Sequence, residues 1–220
     1  GTGNTAAGYA ASCKVTGTGN SSYGNEALRN TTTGTYNDAF GNAAMFSNVD
    51  GCNNAAFGHG VNYNNVDGIY NSGFGHKANY NNCSGDYNTA LGAFALCNND
   101  GGHCNAAIGY ASGRYLANGS SSNSSPDHNT YLGACTRACC STATNETVVG
   151  YCACGCGSNT VSIGNCAVTK VCAFGCFCAK TKVLSPAACV SNACICCAGF
   201  AGASSSSCYG MVVGSCGSCS

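Results

Sequence analysis

Large apolar residues return at every seventeenth position over much of this chain: Tyr23, Phe40, Phe57, Phe74, Leu91 and Ile108. A small residue precedes each of them, a glycine follows, and an asparagine stands three places before. Alternation of small and large residues over so short a stretch predicts a brief, half-buried β-strand. A helix is ruled out by two glycines in every unit, each costing about 1 kcal/mol in a helical interior.

The spacing is strict. One glycine column runs Gly17, Gly34, Gly51, Gly68, Gly85, Gly102, and a second runs Gly24, Gly41, Gly58, Gly75, Gly92, Gly109. Asparagine fills Asn20, Asn37, Asn54, Asn71, Asn88 and Asn105, and a further column at Asn48, Asn65, Asn82 and Asn99. The consensus is G-x-Y-N-x-A-ϕ-G-x-x-A-ϕ-x-N-N-x-x, where ϕ is apolar. A fixed short period rich in Gly and Asn predicts an all-β, repetitive β-solenoid or β-roll, with two strands and two turns per coil. The glycines are expected to supply positive φ at the corners, which Asn also tolerates. Coils stacked ~4.8 Å apart would turn every column into a ladder of like side chains, with the asparagines hydrogen-bonded along the stack. Each coil offers its interior about one aromatic and one aliphatic side chain. That is too little to offset the ordering of seventeen residues, so a second packing surface is expected. Self-association about an axis is the simplest supply, and a parallel homotrimer is the expected form.

The array spans 1–175. Residues 1–16 are a sixteen-residue version of the unit. The unit that opens at Gly102 is longer and carries a Ser/Asn-rich insertion at 117–128, expected to be a surface loop of the kind that carries binding. The phrase resumes as NTYLGA (129–134), ETVVGY (146–151) and TVSIGN (160–165), with an echo AFG at 173–175. Residues 176–220 do not follow the pattern and form a separate C-terminal segment, β-rich or irregular.

Composition narrows the function. Charged residues are only 7% of the 220, and the net charge is zero. A solvated helical bundle is excluded, and so is the basic footprint of a nucleic-acid binder or an anionic-membrane binder. No apolar run reaches the ~18–20 residues of a membrane-spanning helix, so membrane insertion is not expected. No signal peptide is visible, and a chain that opens on Gly1 is expected to be a fragment or a processed product.

The phrases GTYNDAFGNAAMFSN, GDYNTALGAFALCNN and GHCNAAIGYASG resemble the YNTAIGYNAL-type repeats of bacteriophage tail-fibre proteins and bacterial trimeric surface proteins. They are more loosely similar to the heads of trimeric autotransporter adhesins. GSNTVSIGNCAVTKVCAFG (157–175) looks like the passage that ends such arrays. The resemblance covers about 1–175 and implies a homotrimeric, non-enzymatic fibre on a virion or cell surface. Its partners would be sister chains, other tail or surface-anchor proteins, and a host-cell surface receptor, with glycans among the candidates. A phage tail fibre and a bacterial adhesin or extracellular filament both fit.

Taken at face value, twenty-two cysteines, seventeen of them in 135–220, read as a disulfide-rich extracellular protein, most strongly at GYCACGCG (150–157) and ACICC (193–197). The preferred reading is that several, Cys166 and Cys172 among them, stand where arrays that the chain resembles carry Ser, Thr or Val, residues of similar size, so the count says little about compartment. Cys104 takes a place in the column of Tyr36, Tyr70 and Tyr87. No paired CxxC spacing suggests zinc, and alternating positions on one strand converge poorly on a tetrahedral site. His59 and His76 should stack as a solvated column, with a metal as the sharper alternative. Asp50 and Asp67 should cap corners, with a bound Ca²⁺ as the alternative. Asp127, His128 and nearby serines lack the framework of a hydrolase and read as loop. A solenoid enzyme acting on polysaccharide would need carboxylates clustered on neighbouring coils, and the eight present are scattered. An ice-binding face would need a repeated threonine ladder, and Thr31–Thr33 is not repeated. No phosphate-binding loop is present, and no cofactor is expected.

Overall fold

The computed structural model describes residues 1–171, so the echo at 173–175 and the segment 176–220 lie outside the described residues. One compact unit spans Gly1–Thr169.

Each small–large phrase forms a three-residue strand. The strands are β1 (Thr5–Ala7), β2 (Ser21–Tyr23), β3 (Asp38–Phe40), β4 (Ala55–Phe57), β5 (Ser72–Phe74), β6 (Thr89–Leu91), β7 (Ala106–Ile108), β8 (Thr130–Leu132), β9 (Thr147–Val149) and β10 (Val161–Ile163). They pair in chain order as one ten-stranded sheet, all parallel where each returns beside the last, as in Phe40↔Phe57 and Phe57↔Phe74. The register passes the long unit unslipped, with Ala107 opposite Tyr131. Winding one strand per coil makes this a β-solenoid.

The second strand expected in each coil does not form. Tight turns take its place, and the backbone gives the reason. Within the single coil 34–50, φ is positive at Tyr36 (56°), Gly41 (137°), Ala43 (52°) and Met45 (50°). An extended segment cannot pass through left-handed residues, each of which costs a non-glycine about 1–2 kcal/mol. Bonds between coils offset this on the turn walls as well as in the sheet. Met45 N–H donates to the Val61 carbonyl at 2.9 Å, Val49 to Val66 at 3.0 Å, and Asn53 to Thr35 at 3.0 Å.

The two glycine columns exist for different reasons. Gly41 sits at φ 137°, and a Cβ there would fall 2.3 Å from the Gly58 carbonyl oxygen. Gly51 is not in the left-handed region. A Cβ on it would lie 2.2 Å from Asn48 Oδ1 and 2.5 Å from Asn65 Nδ2. The first column therefore clears space for a side-chain ladder rather than supplying the positive φ expected of it.

The interior is built from small residues. Ala39, Ala56, Ala90 and Ala107 point inward from the strands and meet Ala27, Ala44, Ala78 and Ala95, with Leu28, Met45, Val61, Leu96, Tyr131 and Val148 as the larger members of the cluster. The large apolar column is not the core that the sequence suggested. Phe57 is 37% exposed, Phe74 40%, Leu91 46% and Ile108 43%. At most strand positions so narrow a coil has room for a methyl group, and the ring goes outside. Tyr131 of β8 is the exception, fully buried with its hydroxyl accepting from Asn123 Nδ2 at 3.3 Å. Where an interior residue grows, its neighbour shrinks: Gly73 stands in the alanine column because a Cβ there would come 2.3 Å from Val61 Cγ1.

Candidate functional site

The asparagine columns are buried ladders. Asn37 Nδ2 donates to Asn20 Oδ1 at 3.1 Å, Asn54 to Asn37 at 3.1 Å, and Asn105 to Asn88 at 2.9 Å. The same oxygens accept the backbone N–H of the next rung, as at Asn71 N–H to Asn54 Oδ1, 2.8 Å. The second column does likewise, with Asn82 Nδ2 on Asn65 Oδ1 at 2.9 Å and Asn99 Nδ2 on Asn82 Oδ1 at 2.9 Å. Both columns converge on the glycine carbonyls: Gly51 O accepts from Asn37 at 2.8 Å and from Asn48 at 2.9 Å. Every polar atom of such a rung is engaged, in contrast to Asn62 and Asn79, equally buried, whose side-chain amides have no partner among the described residues. The ladder residues hold the coils together and are closed to ligands.

What the surface offers is the other face of the same strands. Tyr23, Phe40, Phe57 and Phe74 stack with ring centres 4.8–4.9 Å apart and planes within 9°. Leu91, Ile108, Leu132, Val149 and Ile163 continue the line in unbroken register. Nine apolar rungs therefore form one straight exterior stripe. Sequence reasoning found these residues but placed them inside.

The remaining candidates stay local. His59 and His76 stack at 5.1 Å on the exterior, and desolvation, His59 and Lys77 together hold the His76 pKa below its usual value. Asp50 accepts from Thr32 and Thr33 of the preceding coil. Asp127 is a backbone cap, accepting the His103 N–H at 2.8 Å, as Asp86 does for Ile69. Among the described residues no group of three His, Cys, Asp or Glu side chains converges as a metal site.

The disulfide expectation fails at the twelve described cysteines, which are all free thiols. In a parallel ladder, neighbouring side chains run alongside rather than toward each other, and a disulfide needs its Cβ vectors to converge. The cysteines at 193–197 lie outside the described residues.

The extension is smaller than 117–128. Asn105 and Asn129 are 24 residues apart and bonded as adjacent rungs, so the unit has seven residues more than its neighbours. Tyr115 and Ser122 bridge as an antiparallel hairpin. Its turn is held by Asn118 Oδ1, which accepts from Ser120 and Ser121 at 3.0 and 2.9 Å. By Asn123 the chain is back in the coil, and Pro126 O accepts from Asn105.

The fold and its surface define a parallel β-solenoid repeat protein. No protein-family model, curated protein or solved structure matches the chain.

Proposed function

We propose that the chain is the attachment segment of a homotrimeric fibre, of the kind carried by bacteriophage tails. In this reading three parallel rolls bury their apolar stripes against one another, and the outer walls meet a host-cell surface. The observation that carries the proposal is the exterior stripe. Aromatic side chains bury ~150–250 Å² each, so aromatic rungs left about two-fifths exposed present roughly 60–100 Å² apiece, and the aliphatic rungs add smaller areas at similar exposure. The stripe then exceeds on the order of 500 Å², near the upper limit of patches that monomers tolerate and approaching the ~800 Å² per partner of a stable interface. The parallel register supports a rotational assembly, because identical rungs at identical heights meet when chains share an axis.

Sedimentation equilibrium tests the assembly. The expected result is a species three times the chain mass of 21.8 kDa, which Phe57→Lys with Phe74→Lys dissociates into monomers. A wild-type protein that stays monomeric at high micromolar concentration would remove the proposal's support. Attachment is tested by retention of labelled protein on bacterial cells, and a protein that no bacterial surface retains would sink the host-binding role.

A further inference from the structure

Beside the hairpin extension lies a cleft of about 240 Å³, lined among others by Tyr110, Arg114, Tyr115, Gly119 and Arg137. Arg114 is gripped between two rings, its guanidinium carbon 4.6 Å from the centre of Phe94 and 4.7 Å from that of Tyr115. Its Nε is buried and has no hydrogen-bond partner among the described residues. The Arg137 guanidinium lies against Gly119 in the hairpin turn. All eight carboxylates of the chain are among the described residues. The ion pairs formed there are Glu26–Arg29 and Asp86–His103, and neither arginine of the cleft takes part.

Two cations thus share one small cleft in a chain of zero net charge, with no counter-charge. A buried donor without a partner is unfavourable, and two guanidiniums without ion-pair partners favour a bound anion. Contact with two rings restrains the Arg114 guanidinium, which favours its planar N–H fork for a two-oxygen acceptor. Tyr110 and Tyr115 add ring surface and phenolic hydroxyls, which a bare inorganic anion would leave unused. The volume falls below the ~300–1,000 Å³ of drug-sized pockets, which suits a single ring rather than a longer chain. We propose that this cleft binds the carboxylate of an acidic sugar, with Arg114 and Arg137 on the carboxylate and the tyrosines against the sugar ring. The proposal deepens the attachment reading by giving it a receptor chemistry, an acidic cell-surface glycan.

Calorimetry on the full chain tests it, using a glucuronate-terminated oligosaccharide, its neutral glucose-terminated counterpart and inorganic phosphate. The glucuronate probe is expected to bind, the neutral probe not to bind, and phosphate to bind far more weakly. Arg137→Gln and Arg114→Lys should each weaken glucuronate binding by about tenfold or more, the loss of one charge-assisted contact. Arg29→Gln, remote from the cleft, should leave it unchanged. Unaltered circular dichroism of Arg137→Gln guards against misfolding. Equal affinity for acidic and neutral sugars, equal affinity for phosphate, absence of glucuronate binding, or an unaffected Arg137→Gln variant would each overturn the assignment. Cell retention separates this site from the wider reading: if wild type and Arg137→Gln adhere equally and glucuronate does not bind, the cleft fails while attachment stands.

Discussion

Asn54 sits mid-ladder, 2% exposed, and its replacement by alanine puts a number on what the amide columns contribute. Its Nδ2 donates to Asn37 Oδ1 at 3.1 Å and to Gly68 O at 2.8 Å, while its Oδ1 accepts the Asn71 N–H at 2.8 Å. The substitution has unequal consequences for these partners. Gly68 O keeps the Asn65 amide and Asn37 Oδ1 keeps the Asn54 backbone N–H. Those two losses fall at the low end of the usual range, about 0.5 kcal/mol each. The Asn71 N–H is left buried with nothing to bond, at about 1–3 kcal/mol. The sum is about 3 kcal/mol. Asn64→Ala is the control, since it removes one half-buried amide bond to Asn81, at 2.9 Å, and strands no backbone group. It should cost about 0.5 kcal/mol. Urea unfolding of the full chain, followed by far-ultraviolet circular dichroism at one fixed protein concentration, reads both. A difference between the two variants smaller than about 0.5 kcal/mol, with equal m-values, would refute the ladder as the main polar tie between coils. Asn54→Asp should be no milder, because a carboxylate cannot donate to Gly68 O. The chain does place a carboxylate on this ladder at Glu146, but there the N–H groups of Gly157 (2.8 Å) and Cys139 (3.3 Å) converge on it.

Gly41→Ala should destabilise by about 3 kcal/mol or more, since it combines a forbidden φ with a clash against the Gly58 carbonyl. Gly60→Ala, at φ 62° with its nearest neighbour 3.4 Å away, should cost about 1–2 kcal/mol in the same denaturation assay. Burial and the Asp100 carboxylate push the Cys83 thiol up to about 11. At pH 8 it should alkylate far more slowly than exposed Cys104, as read by peptide mass spectrometry. The folded chain depresses the His76 pKa below its ordinary 6.5, so the unfolded chain binds more protons near and below that pH. The stability contribution is therefore complete above pH 6.5 and declines as the pH falls below it. A titration midpoint above 6.5, by proton nuclear magnetic resonance, would contradict this.

The strand positions, the stacking of coils and the bonded amide ladders were legible because each column repeats the same chemistry at one interval. The direction of the strands' faces was not. Alternation at Ala39–Phe40 says that one residue of the pair is buried, and the usual inference buries the ring. Only the bore of the coil reverses that, and its width depends on how closely opposite walls approach. The missing second strand had a faint signal. The columns of Met45 and Ala43 also hold Asn62, Asn79, Gly60 and Gly113, residues that accept left-handed backbone, but Leu28, Leu96 and Phe94 in the same columns mask it. The cleft at Arg114 and Arg137 was hidden by the seven extra residues, which break the count that would have placed these side chains on neighbouring coils.

Rings 4.9 Å apart also fix how far such a chain can reach. Seventeen residues lengthen the roll by one layer of ~4.8 Å, where the same stretch wound as α-helix would extend ~25 Å. A segment built this way is an inefficient ruler but a dense lattice, repeating each outward column once in every layer. A change at one column alters one tread of a staircase, so the roll can vary what it shows the outside world layer by layer while its frame stays put.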